Sequence, residues 1–202
     1  MKIFSRSVLH ATALSIGLII AGSALSGCGT LLESGMEKIE ESEARKTLTV
    51  TRIIDGDTLA VEPTKEFPAT NDSEKNPEHV IRILGIDTPE MNKKSKDPAE
   101  CGAKEATKAL GEYAPVGSDV KVTYDKNSDK TDRYGRTLAY LSSDSHNDIG
   151  STMVYEGYAV PYYPKSAYEP KRYANYVSDA ESAGSYGKGN YASCKNFGKE
   201  YR

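Results

Sequence analysis

Histidine and cysteine are scarce in this chain, three of each in 202 residues. His10 lies in an apolar N-terminal stretch. His79 and His146 sit in or beside polar loops, without His-rich spacing, and both are expected to be solvated. A histidine nucleophile or a histidine-ligated metal is therefore not supported. Cys28, Cys101 and Cys194 form no CxxC pair and no Cys/His cluster, which argues against a zinc site. Bulk positive charge is missing too: 26 basic residues face 29 acidic ones, a net charge of −3. That excludes a chain that coats nucleic acid by overall charge. Any polyanion it binds must meet a local basic patch, in a salt-sensitive manner.

What is present begins with the N-terminus. MKIFSR carries two positive charges, and SVLHATALSIGLIIAGSALSG carries none. This is the charged and then apolar order of a signal peptide. The run is nearly long enough to span a bilayer. Its ending, Leu25-Ser26-Gly27-Cys28, resembles the bacterial lipobox. That resemblance implies cleavage after residue 27 and lipid on Cys28. Two acyl chains there would suffice for stable anchoring. Losing Lys2 and Arg6 would leave 24 basic against 29 acidic residues, a net charge of −5. The stretch 28–46 is acidic and polar, too poor in apolar groups to form a core, and reads as a tether. The expected product is a membrane-anchored lipoprotein on the extracytoplasmic face, its folded domain spanning 47–202. In an exported chain the two remaining cysteines, Cys101 and Cys194, are candidates for one disulfide.

Within the domain, TLTVTRIIDGDTLAVE alternates apolar and polar residues on both sides of Asp-Gly, the pattern of a hairpin. A polar loop with three prolines follows at 63–78. HVIRILGI (79–86) reads as a third strand, and DVKVTYD (119–125) and RTLAYLSS (136–143) as two more. Asp97-Pro98-Ala99-Glu100 resembles a capping box and predicts a helix from Asp97, with Ala103, Ala106, Leu110 and Tyr113 on one face. A short helix is expected over 148–159. Tyr173, Val177, Ala180 and Gly184 predict the face of a last one. The fold class is α+β: a five-stranded OB-fold β-barrel with about three packed helices.

Several charged residues sit where a purely structural chain has little use for them. Asp55 and Asp57 flank Gly56 at the first turn. Arg82 lies inside an apolar strand, on the face of Val80 and Leu84. Asp87-Thr88-Pro89-Glu90 ends that strand, and Arg133 and Arg136 bracket Tyr134-Gly135. Singly, each is ordinary turn chemistry or a strand residue reaching solvent. Together, at strand ends, they could converge on one rim of the barrel. Hard carboxylate oxygens suit Ca²⁺ or Mg²⁺. A free carboxylate could deprotonate water, and two guanidiniums could grip a phosphate.

The order IDGDT, VIRILGIDTPE, DRYGRTLAY resembles the staphylococcal nuclease, or thermonuclease, family over most of residues 47–192. The resemblance implies a catalytic trio of Arg82, Glu90 and Arg136. Asp57 and Asp87 would ligate Ca²⁺ with the backbone carbonyl of Thr88, and Asp55 would support the metal from behind. Tyr134 would contact a nucleotide phosphate. Arg133 beside it, and Tyr162 and Tyr163 in AVPYYPK, are further candidates for holding substrate. The implied activity is Ca²⁺-dependent cleavage of DNA and RNA leaving 3′-phosphates, by a monomer. The chain departs from the family pattern in its longer 63–78 loop, a lengthened linker before YGR, an uncertain register of the stacking tyrosines, and its net acidity. A non-catalytic nucleic-acid-binding lipoprotein on the same barrel is the competing expectation. A structural adhesion or solute-binding lipoprotein would need the three motifs to coincide by chance.

Overall fold

Apolar and polar residues alternate along β1 (Lys46–Ile53), which turns Leu48 and Val50 into the core while Thr47, Thr49 and Thr51 face away. The computed structural model describes residues 46–71, 74–92 and 97–199, all within the unit Glu41–Arg202. Cys28 and the rest of residues 1–45, where a signal peptide and most of the 28–46 tether are expected, lie outside the described residues.

β1 pairs antiparallel with β2 (Thr58–Val61), and the register slips between Val50 and Arg52. Such an irregularity bends a strand. It lets the first half of β1 pair with β5 (Asp119–Thr123) and the second half with β2. β3 (His79–Ile83) continues antiparallel beside β2. β6 (Thr137–Ser142) runs parallel to β3 and antiparallel to β5. The order β1-β2-β3-β6-β5 is a closed barrel, as expected of an OB fold.

The long loop after β2 is not merely polar. It buries Phe67, whose ring meets His79 edge-on at 5.2 Å and stacks over Tyr124 at 6.4 Å. His79 is therefore buried, not solvated as expected. Its Nδ1 donates to the Pro68 carbonyl at 2.6 Å, and its Nε2 meets Thr137 Oγ1 at 2.8 Å. Both ring nitrogens are thus bonded, which is what lets the ring be buried.

The expected strand 79–86 is broken. Gly85 takes a positive φ of 85°, and the chain re-emerges as β4 (Ile86–Asp87), paired with β7 (Val160–Pro161). The break turns Asp87 back toward Arg82. A second correction concerns the first helix, α1 (Ala103–Tyr113), which starts at Ala103 rather than at Asp97. The polar groups of 97–100 are spent elsewhere: the Pro98 carbonyl accepts from Asn92, and the Glu100 N–H donates to the Glu90 carbonyl. Gly102, at φ 87°, then resets the backbone before the helix. The apolar face of α1 is where periodicity places it, with Ala103, Ala106 and Leu110 buried.

α2 (Ile149–Tyr155) packs on α3 (Tyr173–Tyr186), and a short α4 (Asn190–Ser193) follows. α3 buries Tyr176 and Ala183, while Val177 stays exposed, so the predicted face is rotated. The cause is polar. The Tyr176 hydroxyl donates to the Asp148 carboxylate at 3.0 Å, which also caps α2 through the Ser151 N–H and pairs with Arg172. Among the described residues no helix is long and apolar enough to cross a membrane.

Candidate active site

The turn between β1 and β2 presents Asp57, which is 2 % exposed. The Asp57 N–H donates to Asp55 Oδ1 at 3.3 Å, so Asp55 holds the turn. Asp57 Oδ1 accepts from the Thr58 hydroxyl at 2.8 Å and pairs with Arg82 Nη1 at 2.5 Å. Its Oδ2 accepts from the Thr88 N–H at 3.2 Å. Arg82 Nη2 donates to Asp87 Oδ1 at 2.5 Å and to the Ile86 carbonyl at 3.3 Å. One guanidinium thus bridges two carboxylates that lie 30 residues apart in sequence.

The electrostatics are unbalanced toward negative charge. Burial pushes the Asp57 carboxyl up to about 7; Arg82 opposes this, and the charges of Asp55 and Asp87 reinforce it. Burial works against the Arg82 charge, but Asp57 and Asp87 more than offset it and hold Arg82 protonated. Glu90 stands at the exposed rim. Partial desolvation, with Asp55 and Asp87, raises its carboxyl above the ordinary value.

A cleft of about 540 Å³ opens beside these groups. Asp87–Glu90, Glu100, the Cys101–Cys194 disulfide and Lys195–Phe197 are among the residues that line it. The disulfide joins residues 93 apart.

The structure brings Asp55, Asp57, Arg82, Asp87 and Thr88 into one network, with Glu90 at its edge. Arg136 belongs to a neighbouring cluster. Its Nε donates to Asp132 Oδ2 at 2.7 Å, and its N–H to Oδ1 at 2.9 Å. It precedes β6, where Leu138 pairs with Arg82 on β3. Position 136 thus lies two residues ahead of the one that pairs with Arg82. Tyr134 is 68 % exposed, with the Arg133 and Arg136 guanidiniums 4.8 and 5.4 Å from its ring centroid. Arg133 also donates to its hydroxyl. Tyr162 is partly exposed, and its N–H donates to the Gly85 carbonyl beside β4. The Tyr163 hydroxyl donates to Glu169 at 3.4 Å, and its ring packs edge-on against Tyr173.

Sequence reasoning missed Asp132 and Glu100. Asp132 carried a signal, standing four residues before Arg136 at the head of DRYGR, where it bonds both the Tyr134 and Arg136 amides. Glu100 was read as a helix cap; instead its carboxylate accepts from the Glu90 N–H.

Residues 80–191 match the family of staphylococcal nuclease homologues. The chain belongs to that family. Arg82, Asp87, Glu90 and Arg136 fall inside the matched stretch, while Asp55 and Asp57 precede it. Among relatives of this staphylococcal-nuclease-like chain, a thermonuclease of Staphylococcus hyicus is 32% identical over 136 residues, covering 63% of this chain and 69% of its own length. An uncharacterized protein of Methanocaldococcus jannaschii is 29% identical over 132 residues, 56% of this chain and 58% of its own. Family membership and the thermonuclease relative support a nuclease, a phosphodiester hydrolase.

Proposed function

We propose that the protein is a Ca²⁺-dependent nuclease that hydrolyses DNA and RNA to leave 3′-phosphates, tethered by lipid on Cys28 outside the cytoplasm. One observation carries the reading: a surplus of carboxylates, Asp55, Asp57 and Asp87, gathered around the partly buried guanidinium of Arg82, with Glu90 alongside.

The donor set fits calcium in kind. Asp57 and Asp87 offer hard oxygens, and the surplus negative charge favours a cation. Among the described residues no three His, Cys, Asp or Glu side chains are grouped to hold an ion by themselves. Asp57 and Asp87 would therefore be joined by the Thr88 carbonyl, waters and a phosphate oxygen. Bound there, Ca²⁺ would neutralise phosphate charge and favour ionisation of a water.

The remaining roles belong to side chains. Arg82 directs the donors of its fork not used by Asp57 and Asp87 to the scissile phosphate. The hold of Asp132 on Nε of Arg136 leaves that residue's terminal nitrogens as a second phosphate-gripping edge. Both offset the charge that builds on the five-coordinate phosphorus. Glu90 takes the proton of the attacking water. The water oxygen bonds phosphorus as the P–O5′ bond breaks; the electron pair leaves on the 5′-oxygen, which takes a proton from solvent water to become the 5′-hydroxyl. Tyr134, Arg133 and Tyr162 flank the strand. A base stacked on one of these tyrosines would contribute about 1–3 kcal/mol without sequence preference.

Purified protein incubated with single-stranded DNA or RNA tests the reading. Ca²⁺ should give cleavage with 3′-phosphate ends, and chelator should abolish it. Binding without cleavage would favour the non-catalytic alternative; no interaction would sink both. For the anchor, the intact mass of the membrane-extracted protein should show a chain beginning at a lipidated Cys28. A retained residue 1–27 segment would refute it.

A further inference from the structure

Glu90 stands exposed at the rim, on a segment that leaves the barrel after Pro89. What fixes it there is a pair of reciprocal bonds to one residue. The Glu90 N–H donates to Glu100 Oε2 at 2.9 Å, and the Glu100 N–H donates to the Glu90 carbonyl at 2.9 Å. Asn92 adds a second rung, its Nδ2 donating to the Pro98 carbonyl at 2.7 Å.

Glu100 is in turn held from the other side. The next residue, Cys101, is bonded to Cys194. Gly102 follows, with its carbonyl accepting from the buried Asn190 at 3.4 Å and no room for a side chain: a Cβ there would lie 2.3 Å from the Asn190 amide. The segment 100–102 is thus fixed covalently and by close packing to the C-terminal end of the domain. That anchorage reaches the Glu90 main chain directly through Glu100, with the Asn92–Pro98 bond as a second rung beyond it.

We propose that Glu100 is a positioning residue for Glu90, and that the Cys101–Cys194 disulfide holds Glu100 in place to do so. The inference rests on the reading of Glu90 as the group that accepts the proton from water. Glu100 touches no reacting atom; it sets where the Glu90 main chain lies, and so where the carboxylate can reach. Misplacing a reacting group by about 1 Å can cost on the order of a hundredfold in rate.

Steady-state and single-turnover cleavage of single-stranded DNA in Ca²⁺ provides the test, on Glu100→Ala, Glu100→Gln, Glu90→Gln and the Glu90→Gln/Glu100→Ala double variant. Glu100→Ala should lower kcat about tenfold or more, with KM within about twofold. Glu100→Gln keeps an oxygen that accepts the Glu90 N–H and should restore kcat to within about threefold. In the Glu90→Gln background, Glu100→Ala should cost nothing further, since the group it positions is gone. The Cys101→Ser/Cys194→Ser variant should lose kcat in the same direction at temperatures where it remains folded. Wild-type kcat in Glu100→Ala, beside an inactive Glu90→Gln, would overturn this proposal alone. So would a Glu100→Ala loss that multiplies fully onto Glu90→Gln, which would mark a general structural role. Full activity of Glu90→Gln would overturn the reading of Glu90 and this proposal with it.

Discussion

Between Asp55 and Asp57, Gly56 has no room for a side chain. A Cβ there would lie 2.7 Å from the Ala106 Cβ and 2.8 Å from Thr88 Oγ1. Asp-Gly in the sequence reads as a tight-turn signal, which would call on glycine for its positive φ; yet Gly56 is not among the residues with positive φ. The glycine is required by packing, because the turn carrying Asp57 presses onto Ala106 of α1 and onto the Thr88 side chain. Gly56→Ala should therefore cost about 1–3 kcal/mol through overpacking, read as a lower urea midpoint, and should weaken cleavage by shifting Asp57. Unchanged stability and activity would show that the contact yields freely. At this scale the carboxylates and Arg82 were legible because charge placed among apolar residues asks for a partner. Their partners were not, since nothing local in the sequence says that Arg82 bridges Asp57 and Asp87. His79 misled for the reverse reason: it adjoins a polar loop, and its burial depends on Phe67, twelve residues earlier, folding back over it.

At the scale of elements, β1, β2, β5, β6 and α2 could be read from period and turn residues. β4 and β7 could not, being two residues long and paired across more than 70 positions. They matter because they hold Asp87 in place. The face of α3 was misplaced because a polar contact, Tyr176 to Asp148, decides it rather than apolar spacing. A second polar anchor, Asp125, ties the end of β5 to the approach to α3. Burial would raise its pKa, but the Tyr140 hydroxyl and the Asn127 and Lys171 N–H groups outweigh this and hold it below the usual carboxylate range. A carboxyl with a depressed folded pKa stabilises above its unfolded value, about 3.9, and that contribution is lost as pH falls through the folded value. Asp125→Asn should thus cost about 1–3 kcal/mol at pH 7, with the gap to wild type narrowing below about pH 4. Urea unfolding at the two pH values checks this; a gap independent of pH would contradict it.

For the whole molecule, a closed barrel brings Asp57, Arg82 and Asp87 together from separate stretches of chain, with the Arg136 cluster just ahead of the strand that pairs with β3. The domain does so without a basic surplus. On the proposed function, attraction to a polyanion is assigned to the Arg133, Tyr134 and Arg136 cluster and to cation held at the carboxylates. Proton transfer from water is the part of the proposed chemistry that falls to Glu90, which holds no phosphate, so its loss should separate turnover from binding. The most direct measurement is turnover and affinity of wild type and Glu90→Gln on the same single-stranded DNA in Ca²⁺. The account predicts that kcat falls by about 10²–10⁴ while Kd stays within about threefold. Equal loss of turnover and affinity, or no loss of turnover, would contradict it.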